Sequence, residues 1–321
     1  MKVFVTRRIP GRGLEILKSA GFNVVMSPHD RVLTKEELVE MGKGADAVLT
    51  QLTDKVDGSV IDGWAGTVKI VANYAVGYDN FNTKEIAERG VLMTNTPEVL
   101  TQTVAEHTFS LLLSAAHRIV ESDKFSRAGK YHGWEPELLL GDDVSGKTLG
   151  IIGLGRIGAR VAHHAVKGFD MKVLYHDVKR NDAFEAESGA VFKENLEELL
   201  KEADFISIHV PLLPQTKHLI NAEKLKLMKP TAYLVNTSRG PIVDEVALRD
   251  ALRDKVIKGA AIDVWEHEPE LTPGLAELDN IIITPHTASA TEETRQKMGE
   301  VAAKNIITAL RGETPPNLIK V

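Results

Sequence analysis

Two doubly wound α/β domains, each a parallel sheet with helices on both faces, are what this sequence predicts. Three observations carry the prediction. Short apolar runs alternate with amphipathic helical patterns, the alternation occurs as two separate series, and 321 residues are enough for two cores at roughly 150 residues per domain. The first series reads KVFVT at 2–6, NVVM at 23–26, DAVLT at 46–50, KIVAN at 69–73 and VLMT at 91–94, with helical patterns such as Gly13–Ala20 and Thr34–Met41 between them. A long helical pattern follows from Leu100 to Val120. Val104, Phe109, Leu111, Leu112, Leu113 and Ala116 form its apolar stripe, and Pro97 marks the boundary before it. Phe125–Asp143 is irregular and holds Gly, Trp and Pro, which fits either a surface loop or an arm used in dimer contacts. The second series is TLGIIG at 148–153, MKVLYHD at 171–177, DFISIHV at 204–210, TAYLVNT at 231–237, GAAIDVW at 259–265 and IIITP at 281–285. A closing helix from about Thr291 to Leu310 is stopped by Gly312 and the Pro315–Pro316 pair.

Composition narrows the function class. Hydrophobic residues make up 43% of the chain and charged residues 26%, which is ordinary for a globular protein. The net charge of −6 comes from acids and bases mixed along the chain, so nothing points to nucleic acid or an anionic membrane as partner. The absence of cysteine excludes disulfides, thiolate nucleophiles and thiolate zinc sites. The run Val3–Val5 is too short for a signal-peptide core and is followed by Arg7 and Arg8, so it reads as a buried first strand. No apolar stretch is long enough to span a bilayer, and a cytoplasmic enzyme is the default expectation.

The second series opens with a glycine fingerprint, Gly153-Leu-Gly155-Arg-Ile-Gly158, where a strand ends at Gly153 and a helix starts by Arg156. The three glycines serve a tight turn, close approach of backbone to a pyrophosphate, and close packing of helix on strand. The helix N-terminus offers N–H groups and the positive end of its dipole to phosphates. Asp177 ends the next strand about 20 residues beyond Gly158, the spacing of the acid that accepts the ribose hydroxyls of a dinucleotide. GxGxxG alone is a weak signal. With a strand before, a helix after and an acid at this distance it indicates a Rossmann-type cofactor domain. A carboxylate at 177 repels a 2′-phosphate and favours NAD, while Lys179 and Arg180 close behind it leave NADP as the alternative.

Three polar residues stand at or just beyond strand ends of the second series. Arg239 follows TAYLV, Glu268 follows GAAIDV and His286 follows IIIT. Ligands of open parallel sheets bind beyond the carboxyl ends of strands, so these three can converge. Reduction of a 2-keto acid needs a hydride at C2, a proton for the carbonyl oxygen and a cation for the carboxylate. Histidine is the natural proton donor near neutral pH, a neighbouring carboxylate orients it and favours the imidazolium, and arginine offers a planar fork.

With these residues in place, the chain resembles the D-isomer-specific 2-hydroxyacid dehydrogenases over essentially its whole length. The carrying motifs are NYAVGYDN at 73–80, GLGRIG at 153–158, HVPLLPQT at 209–216, NTSRG at 236–240, DVWEHEP at 263–269 and Pro285-His286. The runs ANYAVGYDN and LKLMKP and the tail GETPPNL are most similar to the glyoxylate/hydroxypyruvate reductase branch. The resemblance implies Arg239, Glu268 and His286 as catalytic residues. It implies substrate binding by the backbone of Val76 and Gly77, by Arg239, His286 and Ser289, and cofactor binding by Thr103, Gly153, Gly155, Arg156, Ile157, Gly158, Asp177, His209, Val210, Pro211, Thr216, Thr237, Ser238 and Asp263. It further implies a discontinuous flavodoxin-like substrate domain of 1–98 and 289–321, a cofactor domain of 99–288, an active site in the cleft between them, and a homodimer. Relatives often carry Ile or Leu where Thr287 stands, and several NADP-using reductases of the branch carry Arg or Ser at the place of Asp177.

Other assignments stay open at the level of sequence. Glu266 competes with Glu268 for the role beside His286, Asp263 and His209 would also serve as plain strand ends, and Asn73 as a purely structural residue. His163 and His164 are adjacent, sit on different helix faces and cannot chelate one metal. No metal site is expected. Ser238 lacks both a G-x-S-x-G elbow and a base at suitable spacing, so it is no nucleophile. Two alternative functions remain. A 3-phosphoglycerate dehydrogenase-like enzyme would want extra cations and often a regulatory domain, and the chain stops at Val321. A non-catalytic NAD-sensing interaction protein can use the same fold, though it would not need the complete Arg–Glu–His set.

Overall fold

A computed structural model describes residues 1–321. In chain order the elements are β1 (Lys2–Val5), α1 (Gly13–Ser19), β2 (Asn23–Met26), α2 (Lys35–Gly42), β3 (Ala47–Thr50), α3 (Gly58–Gly63), β4 (Ile70–Asn73), α4 (Thr83–Glu88), β5 (Leu92–Thr94), α5 (Thr101–Ala116) and α6 (Ile119–Arg127). They continue with β6 (Thr148–Ile152), α7 (Arg156–Phe169), β7 (Lys172–His176), α8 (Asp182–Ser188), β8 (Val191–Phe192), α9 (Leu196–Glu202), β9 (Phe205–Ile208), α10 (Ala222–Leu227), β10 (Tyr233–Asn236), a 3₁₀ turn at Gly240–Ile242, α11 (Glu245–Arg253), β11 (Gly259–Ile262), β12 (Ile281–Ile283) and α12 (Glu292–Leu310). The chain divides into two compact units, Met1–Leu100 with Ala290–Val321, and Thr101–Ser289.

The first unit holds a five-stranded sheet in the order β2-β1-β3-β4-β5, with every pairing parallel. Its inner strands are buried on both faces, which is why they read as unbroken apolar runs rather than alternating ones. Phe4, Val48, Val71 and Met93 gather on one face around the fully buried Trp64. On the chain's return, α12 packs against β4 and α1, and the contact with α1 is close enough that a Cβ on Gly13 would lie 2.7 Å from the Gly299 backbone.

The second unit holds a seven-stranded parallel sheet in the order β12-β11-β10-β9-β6-β7-β8. Alternate residues of one strand enter different cores, as a pleat with a period of two requires. Leu234 joins the cluster beneath α9, α10 and α11, whereas Tyr233 and Val235 join the one beneath α5 and α7. The order reverses between β6 and β9, so a crevice opens where the connections from those strands leave in opposite directions.

Two local differences from the sequence expectation have clear causes. The helical pattern read as continuous from Leu100 to Val120 is two helices, because Arg118 takes a left-handed backbone (φ 53°) that ends one and starts the other. The second of them runs to Arg127, into the segment expected to be irregular. Strand β8 was not foreseen. Two residues pairing at a sheet edge carry no periodicity to read.

Candidate active site

The carboxyl ends of β6, β7, β9, β10, β11 and β12 carry the polar residues of the second unit. At the end of β6, Gly153 has φ 94°, and a Cβ there would press on His209 and Val210 at the end of β9. A Cβ on Gly158 would lie 2.1 Å from the Gly153 carbonyl, so only glycine lets α7 pack this close to β6. A Cβ on Gly155 would meet no atom of the chain within 4 Å. Glycine there keeps open a space that the protein itself does not fill. Helix α7 starts at Arg156 with no side chain capping its N-terminus, leaving N–H groups directed at that space. Asp177, just past β7, accepts the Leu154 N–H at 2.6 Å and the Lys179 N–H at 3.2 Å. A dinucleotide fits these residues: the open glycine and uncapped helix end suit a pyrophosphate, and the neighbouring carboxylate suits ribose hydroxyls. Arg156 is exposed and Ile157 half-buried on the first turn.

Beyond β9, Ser207 Oγ lies 2.8 Å from His209 Nε2, and burial pushes the imidazole down to about 3, so the ring is neutral. Thr216 closes the following loop by donating to the Pro211 carbonyl at 2.7 Å while accepting the Leu213 N–H at 2.8 Å. Ser238 donates to the Val210 carbonyl at 2.5 Å, a tie between the β9 and β10 ends. Thr237 is buried, with its hydroxyl 2.8 Å from that of Thr108 on α5. Thr103 is half-buried on the first turn of α5.

The Arg239 loop is built by its neighbours. Asn236, at the end of β10, accepts the Ser238 N–H at 3.0 Å and donates to the Arg239 carbonyl at 2.9 Å. The next residue must be glycine, because a Cβ at Gly240 would lie 1.9 Å from the Trp265 backbone. On the adjacent strand end Glu268 Oε2 lies 2.9 Å from His286 Nδ1, with each side chain about a third exposed, and Glu268 Oε1 accepts the Trp265 N–H at 3.2 Å. Glu266 turns the other way. Its Oε1 lies 2.6 Å from His218 Nε2, and its N–H is held by the buried Glu245 at 2.8 Å.

His286 has a left-handed backbone (φ 53°), which a side chain adopts only at a cost of about 1–3 kcal/mol unless its surroundings enforce it. Asp263 supplies the enforcement. Its carbonyl accepts the His286 N–H at 2.8 Å, and its fully buried carboxylate accepts Thr284 Oγ1 at 2.6 Å, the Thr287 N–H at 2.8 Å and the Ala288 N–H at 2.7 Å. His107 on α5 reaches the same cluster, 3.4 Å from Asp263 and 3.2 Å from Thr284. Burial alone would push the Asp263 carboxyl up; the hydrogen bonds from His107, Thr284 and the two N–H groups outweigh it and hold the carboxyl below its ordinary value. Thr287, the unusual residue of this turn, directs its hydroxyl at Asp263 from 3.3 Å. Ser289 is half-buried just beyond. His107 and Thr284 were not singled out in the sequence. No spacing links a residue on α5 to one after β12, and only the fold brings them together.

Val76 and Gly77 belong to the first unit, in the loop after β4. Asn73, fully buried, donates to the Gly77 carbonyl and to Asn80 Oδ1, both at 2.9 Å, and Asn95 donates to the Val76 carbonyl at 2.7 Å. The carbonyls are thus turned inward, and neither the Val76 nor the Gly77 N–H has a hydrogen-bond partner in the chain. Such paired N–H groups form a concavity suited to an anion.

His163 and His164, adjacent on α7, are both half-buried against α5. Their rings lie 5.9 Å apart, and that of His164 meets Phe109 edge-on. No group of three or more His, Cys, Asp or Glu side chains could hold a metal, and no helix is long and apolar enough to cross a membrane.

Comparison with known proteins adds to this geometry. Residues 109–288 match the family model described as D-isomer specific 2-hydroxyacid dehydrogenase, NAD binding domain. The chain is 48% identical over 321 residues to a glyoxylate reductase of Korarchaeum cryptofilum, covering 99% of this chain and 95% of that one. It is 46% identical over 322 residues to a glyoxylate reductase of Pyrococcus furiosus, with 99% and 95% covered. Among solved structures, a Thermus thermophilus protein superposes with a TM-score of 0.93 at 43% identity, with all of both chains covered. An NADPH-dependent glyoxylate/hydroxypyruvate reductase from Sinorhizobium meliloti superposes with a TM-score of 0.86 at 28% identity, covering 99% of this chain and 97% of the other.

Proposed function

The chain belongs to the D-isomer specific 2-hydroxyacid dehydrogenases, and from that premise we propose that it is a glyoxylate reductase, an NAD(P)H-dependent oxidoreductase that turns a small 2-keto acid into a D-2-hydroxy acid. The observation that carries the reading is the 2.9 Å pair of His286 and Glu268, one strand away from Arg239 on three neighbouring strand ends. Near-full-length similarity to two glyoxylate reductases supports the choice of substrate. Hydroxypyruvate, one carbon longer and hydroxylated, is the second substrate of the reading.

Each residue then has one task. The Arg239 fork suits the substrate carboxylate and carbonyl oxygen, and in the first unit the paired Val76 and Gly77 N–H groups suit a carboxylate. Glu268 fixes His286 through Nδ1, which leaves Nε2 to give its proton to the carbonyl oxygen. Ser289 follows in the same turn as a further substrate contact. The nicotinamide cofactor, when bound, supplies the hydride that adds to C2. One hydride and one proton convert the aldehyde group of glyoxylate to the CH₂–OH of glycolate. Gly153, Gly155, Gly158, Arg156 and Ile157 receive the pyrophosphate, Asp177 the adenosine ribose, and Thr103, His209–Pro211, Thr216, Thr237, Ser238 and Asp263 line the rest of the cofactor site. NADH is the preferred donor, since a carboxylate at 177 both accepts ribose hydroxyls and repels a 2′-phosphate.

The working form is a cytoplasmic homodimer. Tyr131, Trp134 and Leu140 are 55%, 82% and 60% exposed on one irregular segment, apolar side chains that a second copy of the chain would cover. Light scattering at micromolar protein should give twice the mass of one chain, and a monomer would reject this part of the reading. The activity is tested by a panel of glyoxylate, hydroxypyruvate and pyruvate with NADH and with NADPH. The highest kcat/KM is expected for glyoxylate with NADH. Binding of NADH without turnover of any 2-keto acid would instead favour a non-catalytic NAD-binding role.

A further inference from the structure

The loop after β7 holds one acid, Asp177, and two cations, Lys179 and Arg180. Cations beside the ribose carboxylate are what a 2′-phosphate requires. The structure engages one of them elsewhere. Arg180 Nε lies 2.9 Å from Glu185 Oε1, Arg180 Nη2 lies 2.6 Å from Glu185 Oε2, and Asp182 adds a contact at 3.0 Å. Glu185 is not an ordinary surface partner. Its side chain is only 16% exposed, and the hydroxyl of Tyr175 donates to Oε1 at 2.6 Å while accepting the Asn181 N–H at 2.8 Å. Asn181 in turn caps α8 by accepting the Phe184 N–H at 3.1 Å. The carboxylate is therefore held from two sides, and the bidentate pair takes up the Nε–Nη2 edge of the guanidinium.

We propose that Glu185 determines cofactor choice by sequestering Arg180, so that the loop presents Asp177 to a ribose hydroxyl while the Nε–Nη2 fork of Arg180 is held by a carboxylate rather than offered to a 2′-phosphate. The proposal rests on the reading of Asp177 as the ribose carboxylate. Asp182 is 85% exposed and its bond to Arg180 is screened by solvent, so Glu185 is the partner that decides.

The test is a set of dissociation constants for NADH and NADPH, measured by nucleotide fluorescence in the absence of substrate, with melting temperatures alongside. Glu185→Gln keeps an acceptor for Tyr175 and removes the charge that holds Arg180. It should tighten NADPH binding about five- to tenfold and leave NADH within about twofold. Adding Arg180→Ala to Glu185→Gln should abolish the gain. Arg180→Ala alone should change neither constant by more than about twofold, because the residue is already engaged. A gain that survives Arg180→Ala in the double variant overturns the proposal, since loss of negative charge or Lys179 then accounts for it. A fivefold loss of NADPH affinity in Arg180→Ala alone also overturns it, and this variant decides the matter should Glu185→Gln not fold. Asp177→Ala separates the two layers. Unchanged NADH affinity in that variant overturns the ribose reading, whereas weakened NADH binding with no Arg180-dependent gain overturns the sequestration alone.

Discussion

Replacing Asp263 by Asn tests how the His286 turn is held. The carboxylate is fully buried and takes Thr284 Oγ1, the Thr287 N–H and the Ala288 N–H at 2.6–2.8 Å, with His107 at 3.4 Å. An amide of the same shape keeps one acceptor oxygen. Its NH₂ then faces either the Ala288 N–H or the Thr284–Thr287 pair, so at least one buried donor loses its acceptor. An unpaired buried group costs about 1–3 kcal/mol, and the remaining bonds lose their charge assistance, giving about 2–5 kcal/mol in all. At about 2–4 °C per kcal/mol for a unit of this size, Tm should fall by about 4–20 °C. The folded carboxyl lies below its ordinary value, so the stability it lends is complete above that value, near 4, and is lost as pH falls through the folded one. The gap in stability between wild type and variant should stay constant above about pH 5 and close below about pH 4. His286 is also left in a left-handed conformation with less to enforce it, and a displacement of about 1 Å costs on the order of a hundredfold in rate. Calorimetry from acid to neutral pH and steady-state reduction of glyoxylate read both effects. A Tm within about 2 °C of wild type refutes the argument from buried donors. A large fall in Tm with kcat/KM unchanged refutes the link to His286.

Four further outcomes follow from the same geometry. Arg239→Lys keeps the charge and loses the fork, so kcat/KM should drop on the order of a hundredfold with NADH affinity unchanged; near-wild-type turnover removes Arg239 from the chemistry. Glu268→Gln should lower kcat about tenfold or more, while Glu266→Gln, whose partner is His218, should leave it within about twofold; the reverse pattern would mean the wrong carboxylate has been chosen. Gly155→Val should weaken NADH binding without a matching loss of Tm, because its Cβ meets nothing in the chain, whereas Gly158→Ala should lower Tm, its Cβ lying 2.1 Å from the Gly153 carbonyl; equal effects of the two on Tm would dismiss the distinction. Asn73→Ala unpins the Gly77 carbonyl and should raise KM for glyoxylate with NADH affinity unchanged, and a change in NADH affinity alone would place the loop outside substrate binding.

Strand runs, the glycine fingerprint and the acid beyond it were legible in the sequence because each is a local rule. Period, turn chemistry and spacing along the chain are enough to place Gly153, Gly155, Gly158 and Asp177 on a strand–turn–helix unit. Arg239, Glu268 and His286 were legible as residues at strand ends and through family resemblance. The residues by themselves left open which carboxylate meets His286, and only the resemblance favoured Glu268. Glu266 and Glu268 stand two positions apart in one acidic run, and the turn after β11 sends one to His218 and the other to His286. The same limit hid the break at Arg118, the partners of Asp263 and the capture of Arg180 by Glu185. In each case the deciding term is a hydrogen bond or a backbone conformation set by elements distant in the chain or by the exact turn between them. Sequence determines which groups are available at the end of each strand. Tertiary structure decides which of them meet, because side-chain direction depends on packing that no single segment contains.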